Sequence, residues 1–198
     1  ADAIERQFGP IDVWVNNADR GISKPLGALV DKDLDAMLRD NVKSALYGMQ
    51  AVLPHLQARG DGTIANVSSM LSRVPFAPIR SAYSACKTAL NSLTANLRVE
   101  LRSRNPEIHV TLVMPGMVAT EFARNAIGAP PNTGVYSGSH VQTVEAVADL
   151  IAYGIETPVA EVYTKPASAE MARRYFEGLG AFEQQAGNPW ASAPTGAR

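Results

Sequence analysis

The chain has 198 residues and a formal net charge of −1, with its lysines and arginines spread along it, which excludes the basic footprint of a nucleic-acid or acidic-membrane binder. At 46% hydrophobic and 19% charged it has the balance of one ordinary globular domain. Its one cysteine, Cys86, excludes an intrachain disulfide, and there is neither an apolar run of roughly 20 residues nor a charged segment leading into an apolar signal core, so the expected location is cytoplasmic.

Residues 1–8 read as the last turns of a helix, stopped by Gly9-Pro10, since glycine ends a helix cheaply and proline cannot continue it. Residues 11–16 are short, apolar and β-branched with little alternation, the pattern of a strand buried on both faces of a parallel sheet. After a loop to about residue 30, apolar residues recur at helical spacing through Leu34, Met37, Leu38, Val42, Ala45, Leu46 and Met49. This predicts a long helix over 31–59, with Asp31 as its cap, Gly60 as its stop and a bend at Asn41. A second buried strand is predicted over 63–68, a second long helix over 81–104 ended by Asn105-Pro106, and a third strand over 108–114. The stretch 115–140 is rich in glycine and proline, as active-site lids and specificity loops are. A helix over 143–156, a short strand over 161–164 and a helix over 168–177 follow, and residues 179–198 read as a flexible tail. Strands alternating with helices of this length specify βαβ units, hence an α/β fold with a parallel sheet covered on both faces, in one domain over 1–178.

Tyr83 and Lys87 are spaced i, i+4 near the start of the second long helix, so both side chains leave one face and can meet one ligand. Tyrosine ordinarily ionises near pH 10, and a neighbouring ammonium favours the phenolate, giving a group that exchanges a proton with an alcohol or carbonyl oxygen. The pair alone is a weak signal, and its surroundings strengthen it. Asn66-Val67-Ser68-Ser69 ends a predicted strand, at the carboxyl edge where open α/β sheets bind ligands, and Ser69 can hydrogen-bond the reacting oxygen. Asn16-Asn17-Ala18 ends the preceding strand. Asn41 sits in mid-helix, where its propensity is poor, and Pro115-Gly116 ends the next strand with Thr120 shortly after.

In this order and spacing these features resemble the short-chain dehydrogenase/reductase family, from about residue 4 to at least 165. The resemblance implies a Rossmann-like, doubly wound parallel sheet. It implies an NAD(P)-dependent oxidoreductase that interconverts an alcohol and a ketone or aldehyde by hydride transfer, acting on a small molecule and on neither nucleic acid nor membrane. By the same resemblance Tyr83 is the general acid/base, Lys87 lowers its pKa and binds the nicotinamide ribose, Ser69 orients the carbonyl, and Asn41 holds a proton-relay water. Asn17 and Ala18 would flank the adenosine half of the cofactor, while Pro115, Gly116, Val118 and Thr120 would border the nicotinamide. Helices 31–59 and 81–104 would build a homodimer or homotetramer. The residue that selects NAD or NADP follows a strand that is absent here, so either cofactor is open.

Three departures stand out. Asp19 takes the place where family members usually have glycine after Asn-Asn-Ala, and is expected to disturb the approach of the adenosine half. Cys86 replaces a common serine, as a small packing residue or a redox-sensitive thiol beside a cation. The glycine-rich fingerprint and first strands, about 70 to 80 residues in the family, are absent. Residues 133–140 imitate Thr-Gly-x-x-x-Gly-x-Gly but lack its final glycine and follow Pro130-Pro131-Asn132 instead of a strand. The expectation is therefore an N-terminally truncated member with an incomplete sheet, whose Ile11 strand lies at an open edge. The alternative function is a non-catalytic fragment of the same fold that cannot hold the dinucleotide; a nucleotide-binding regulator is a third reading. Val74, Phe76, Met117 and Tyr136 are candidates for an apolar substrate pocket or for plain packing. His55, His109 and His140 are not grouped at ligand spacings, so no metal is expected, and His140 lies in the lid stretch.

Overall fold

Short runs of β-branched residues suit a pleated, buried surface. Four of them form strands: β1 (Val13–Asn16), β2 (Gly62–Val67), β3 (Ile108–Met114) and β4 (Glu161–Tyr163). All pair in parallel, in the order β1-β2-β3-β4. The computed structural model describes residues 1–186. Its helices are α1 (Asp2–Phe8), α2 (Asp31–Leu38), α3 (Ser44–Arg59), α4 (Ser81–Leu101), α5 (Val144–Glu156), α6 (Pro166–Glu177) and α7 (Leu179–Ala186).

Residues alternate across a strand, which places the helices on two faces. Ile108 and Val110 of β3 join Met49, Val52 and Leu56 of α3 and Leu101 of α4 in one core cluster. Thr111, next after Val110, turns the other way and donates its hydroxyl to the Gly154 carbonyl on α5 at 3.3 Å. Gly154 permits that approach, since a Cβ there would stand 3.0 Å from Val162. The sheet is thus covered on both faces, as expected from the βαβ alternation.

Several expectations are corrected. β1 is not buried on both faces: Val13 and Val15 are 37% and 41% exposed, because β1 pairs only with β2 and forms the sheet edge. The long helix over 31–59 is broken where a bend was expected. Arg39–Lys43 form a π-helical turn in which the Ser44 N–H reaches back five residues to the Arg39 carbonyl. The cause is local: the Asn41 side chain donates to the Met37 carbonyl at 3.0 Å, the group its own backbone N–H would use in an α-helix. Asp31 is not the cap. The Asp33 carboxylate, one turn in, accepts from the Val30 N–H at 3.2 Å. The helix α6 starts at Pro166, two residues before the expected Ser168, because proline suits the first turn. Residues 179–186, expected as tail, are helical, and Phe182 packs on Phe76 and Tyr175 at ring-centroid distances of 5.5 and 5.6 Å. The rest of that stretch, 187–198, lies outside the described residues.

The stretch 115–140 is irregular, as expected, but pinned. Ile127 exchanges backbone hydrogen bonds with Gly21 and Ser23 at 2.9 and 2.7 Å, and Gln142 does the same with Met117 and Ala119, each at 2.9 Å. Among the described residues no helix is long and apolar enough to cross a membrane.

Candidate active site

The carboxyl ends of β1, β2 and β3 and the first turns of α4 meet at one edge of the sheet. Past Val67 the chain turns through Ser68 and Ser69 into a single 3-10 turn, whose backbone is tied to β3 by Met70 N–H donating to the Pro115 carbonyl at 2.8 Å. Ser68 donates to Asn91 Oδ1 at 2.6 Å, and Asn91 Nδ2 donates to Ser72 Oγ at 2.8 Å, so the turn is clamped onto α4. That clamp brings Ser69 beside Tyr83 and Lys87.

Lys87 is buried, its side chain 2% exposed. It donates to the Val67 carbonyl at 2.9 Å and lies 3.3 Å from Asp19 Oδ2. The same Asp19 oxygen accepts from the Tyr83 hydroxyl at 3.0 Å. A buried ammonium requires an anionic partner, and Asp19 is that partner among the described residues. Sequence reasoning assigned Asp19 to the adenosine half; the fold places it between the two residues expected to do the chemistry.

The electrostatics follow. Burial pushes the Tyr83 phenol well above its ordinary range and the Asp19 carboxylate adds to this, while the facing Ser69 hydroxyl and the Arg80 guanidinium oppose it. Burial lowers the Lys87 pKa, and Asp19 opposes that shift. Burial is the larger cause of the raised phenol, and the Asp19 carboxylate, in contact with both groups, offsets the charge of the neighbouring Lys87 ammonium.

The remaining expected residues fall around this centre. Asn41 is buried, accepts from the Arg20 N–H at 3.2 Å and donates to the carbonyls of Arg20 and Met37, both at 3.0 Å. Its amide is bonded to the backbone, so its side chain clasps the loop that carries Asp19. Asn17 and Ala18 are exposed and lead into Asp19. Pro115 and Gly116 follow β3 beside the Ser69 turn, and Val118 bridges to Gln142. The Thr120 hydroxyl accepts from the Phe122 N–H at 3.4 Å. Val74 is buried with Met70 in a separate apolar cluster under α6 and α7, and the partly buried Phe76, Tyr163 and Tyr175 pack against it. Tyr136 does reach the site, where its hydroxyl accepts from Arg80 at 3.0 Å.

Sequence reasoning missed two groups. Arg80 is buried three residues before Tyr83, donates to the Ile22 carbonyl at 2.8 Å and lies over the Phe122 ring at 5.3 Å. Phe122 meets Tyr83 edge-on at 5.2 Å. The i, i+3 spacing of Arg80 and Tyr83 was the one available signal for the first, and nothing local marked the second.

Comparison with known proteins agrees with this geometry. The short chain dehydrogenase family model matches residues 1–129. An uncharacterized oxidoreductase, YxnA, of Bacillus subtilis is 30% identical over 82% of this chain and 46% of its own length. The 2-(R)-hydroxypropyl-CoM dehydrogenase of Xanthobacter autotrophicus is 36% identical over 65% of this chain and 51% of its own. A crystal structure of a short chain dehydrogenase from Burkholderia cenocepacia in complex with NADP superposes with a TM-score of 0.73 at 27% identity, covering 93% of this chain and 74% of that one. The chain spans about half the length of the curated relatives it matches. It belongs to the short chain dehydrogenase family.

Proposed function

We propose that this family member is an NAD(P)-dependent oxidoreductase that interconverts a small alcohol and its ketone or aldehyde, with Tyr83 as the general acid/base. The observation that carries the reading is the convergence of the Ser69 hydroxyl, the Tyr83 hydroxyl and the Lys87 ammonium at the carboxyl edge of the sheet, where open α/β folds take ligands.

The residues fit the nicotinamide half of a dinucleotide. Tyr83 and Lys87 share one acceptor atom, Asp19 Oδ2, so a ribose hydroxyl placed where that atom sits would meet both. Pro115, Gly116, Val118 and Thr120 would border the nicotinamide. When bound, the dinucleotide accepts or supplies the hydride. Ser69 orients the substrate oxygen, Tyr83 gives or takes the proton on that oxygen, and Lys87, anchored on the Val67 carbonyl, holds the ribose and supplies positive charge beside the phenol. Asn41 contributes by holding the loop at Arg20. The NADP-bound Burkholderia cenocepacia structure and a serine dehydrogenase structure complexed with NADP+, 26% identical with a TM-score of 0.73, support a nicotinamide cofactor. Tyr47 and Val99, exposed on the two long helices, suit a homodimer or homotetramer interface. A cytoplasmic location accords with this chemistry.

A second reading, a non-catalytic form that does not hold the dinucleotide, is favoured by the carboxylate between Tyr83 and Lys87. Titration with NADH and NADPH, followed by turnover on a panel of carbonyl compounds, separates the two. Binding with turnover that falls by about 100-fold or more in Tyr83→Phe is the expected result. Absence of binding favours the second reading, and turnover unaffected by Tyr83→Phe refutes the acid/base role.

A further inference from the structure

Asp19 reaches from the end of β1 across to α4 and rests on the two groups that the proposed reaction needs. The residue lies at the surface, with its side chain turned inward and 23% exposed. Oδ2 accepts from the Tyr83 hydroxyl at 3.0 Å and lies 3.3 Å from Lys87 Nζ. The next residue, Arg20, is held at both its N–H and its carbonyl by Asn41, at 3.2 and 3.0 Å, so the loop keeps the carboxylate aimed inward. A glycine at this position, the residue that the family resemblance leads one to expect, would leave the space open.

We propose that Asp19 is an internal occupant of the ribose seat: its carboxylate must leave Tyr83 and Lys87 before a ribose hydroxyl can take its place, so this residue sets how tightly the nicotinamide half binds. The inference rests on the dinucleotide reading above. The physical argument is a comparison of partners. A carboxylate facing a buried ammonium is a charge pair in a low-dielectric site, whereas a ribose hydroxyl offers that ammonium only a dipole. Exchange is therefore opposed by the Asp19 carboxylate and eased when that residue is replaced. The groups facing Tyr83 are Asp19 from the loop after β1, Ser69 after β2, and Arg80 and Lys87 from the start of α4; those facing Lys87 are Asp19 and Cys86. Asp19 is the one carboxylate in the set, so its removal lets the phenol ionise more readily.

Two measurements on the whole chain test this, using Asp19→Asn and Asp19→Gly. The first is spectrophotometric titration of tyrosine, with each protein compared with its Tyr83→Phe counterpart so that the Tyr83 step is isolated by difference. The second is an NMR titration with nicotinamide mononucleotide, which carries the ribose and nicotinamide. In both variants the Tyr83 step should move to lower pH, and the mononucleotide should bind roughly tenfold more tightly. An unmoved Tyr83 step overturns the proposal. A moved step with equal affinity in parent and variants shows that Asp19 acts on the phenol alone, and overturns the competition. A moved step with no binding by any form refutes the dinucleotide reading, and the competition with it, while leaving the Asp19–Tyr83 contact established. Should Asp19→Asn misfold by circular dichroism, Asp19→Gly carries the test.

Discussion

Asn16 Nδ2 donates a 2.7 Å hydrogen bond to Oδ1 of Asn66, its partner in register on the neighbouring strand, and so joins the carboxyl ends of β1 and β2. The chain of bonds continues both ways. Trp14 Nε1 donates to Asn16 Oδ1 at 2.9 Å, Asn66 Nδ2 donates to Thr94 Oγ1 at 2.9 Å, and Thr94 donates to the Leu90 carbonyl at 2.7 Å. The edge strand is thereby connected to α4, the helix that presents Tyr83 and Lys87.

Asn66→Ala removes the centre of that chain and leaves the Asn16 amide and one lone pair of Thr94 without partners. The cost should be about 2–3 kcal/mol, since each buried polar group left unpaired costs about 1–3 kcal/mol. Urea denaturation should show a lower midpoint with an unchanged slope. A loss below about 0.5 kcal/mol, the range of surface substitutions, would show that the network contributes little.

Gly48→Ala inverts the usual helix rule. In an exposed helix interior the change gains roughly 0.5–1 kcal/mol. Here the new Cβ would overlap Asn16 Oδ1 and stand 2.8 Å from Trp14 Nε1, displacing the bond between them. A loss of about 1–3 kcal/mol is expected, as for an overfilled core. A thermal midpoint at or above that of the parent would contradict this account.

Cys86 is buried, and burial outweighs the neighbouring Lys87 charge to push its thiol from 9.0 up to about 11. It should resist iodoacetamide at pH near 8 in the native protein and react once unfolded, since the thiolate is the nucleophile. The folded-state pKa lies above the unfolded value. The associated stability is therefore fully present below about pH 9 and declines as the pH climbs from 9 toward 11. Rapid labelling of native protein near neutrality would revive a redox role for this residue.

Tyr83 produces an alkaline dependence of the same sign. Its phenol titrates above the ordinary 10.0, so above that pH the unfolded chain loses its proton first and stability falls. Lys87, whose pKa is lowered from 10.5, acts in the opposite sense: the unfolded chain holds its proton longer, so stability rises with pH between the two values. Urea midpoints measured across this range should decline less steeply in Tyr83→Phe than in the parent. Equal slopes would place the alkaline transition elsewhere.

The strand Ile108–Met114 coincides with its expected bounds, and the break at Asn41 falls where poor helix propensity put it. Both are local matters: a run of β-branched residues and an amide that competes for its own helix bond act within a few positions. Tyr83 and Lys87 are similarly legible, because one helical turn fixes their shared face. Val74 and Phe76 stayed open between pocket and packing because an apolar residue near a motif looks the same whether it lines a pocket or, as here, meets a helix about a hundred residues further on.

What the sequence by itself determined is the α/β class and the order of its main elements, which follow from periodicity, and the shared helical face of Tyr83 and Lys87, which follows from their spacing, while the succession of motifs carried the family resemblance. Only the tertiary structure decided what those residues touch. Asp19 and Tyr83 lie 64 positions apart and meet because β1 pairs with β2 while the Ser68–Asn91 bond locks the turn after β2 onto α4. Sheet order and helix docking set that distance, and with it whether the charge beside the phenol is an ammonium alone or an ammonium matched by a carboxylate.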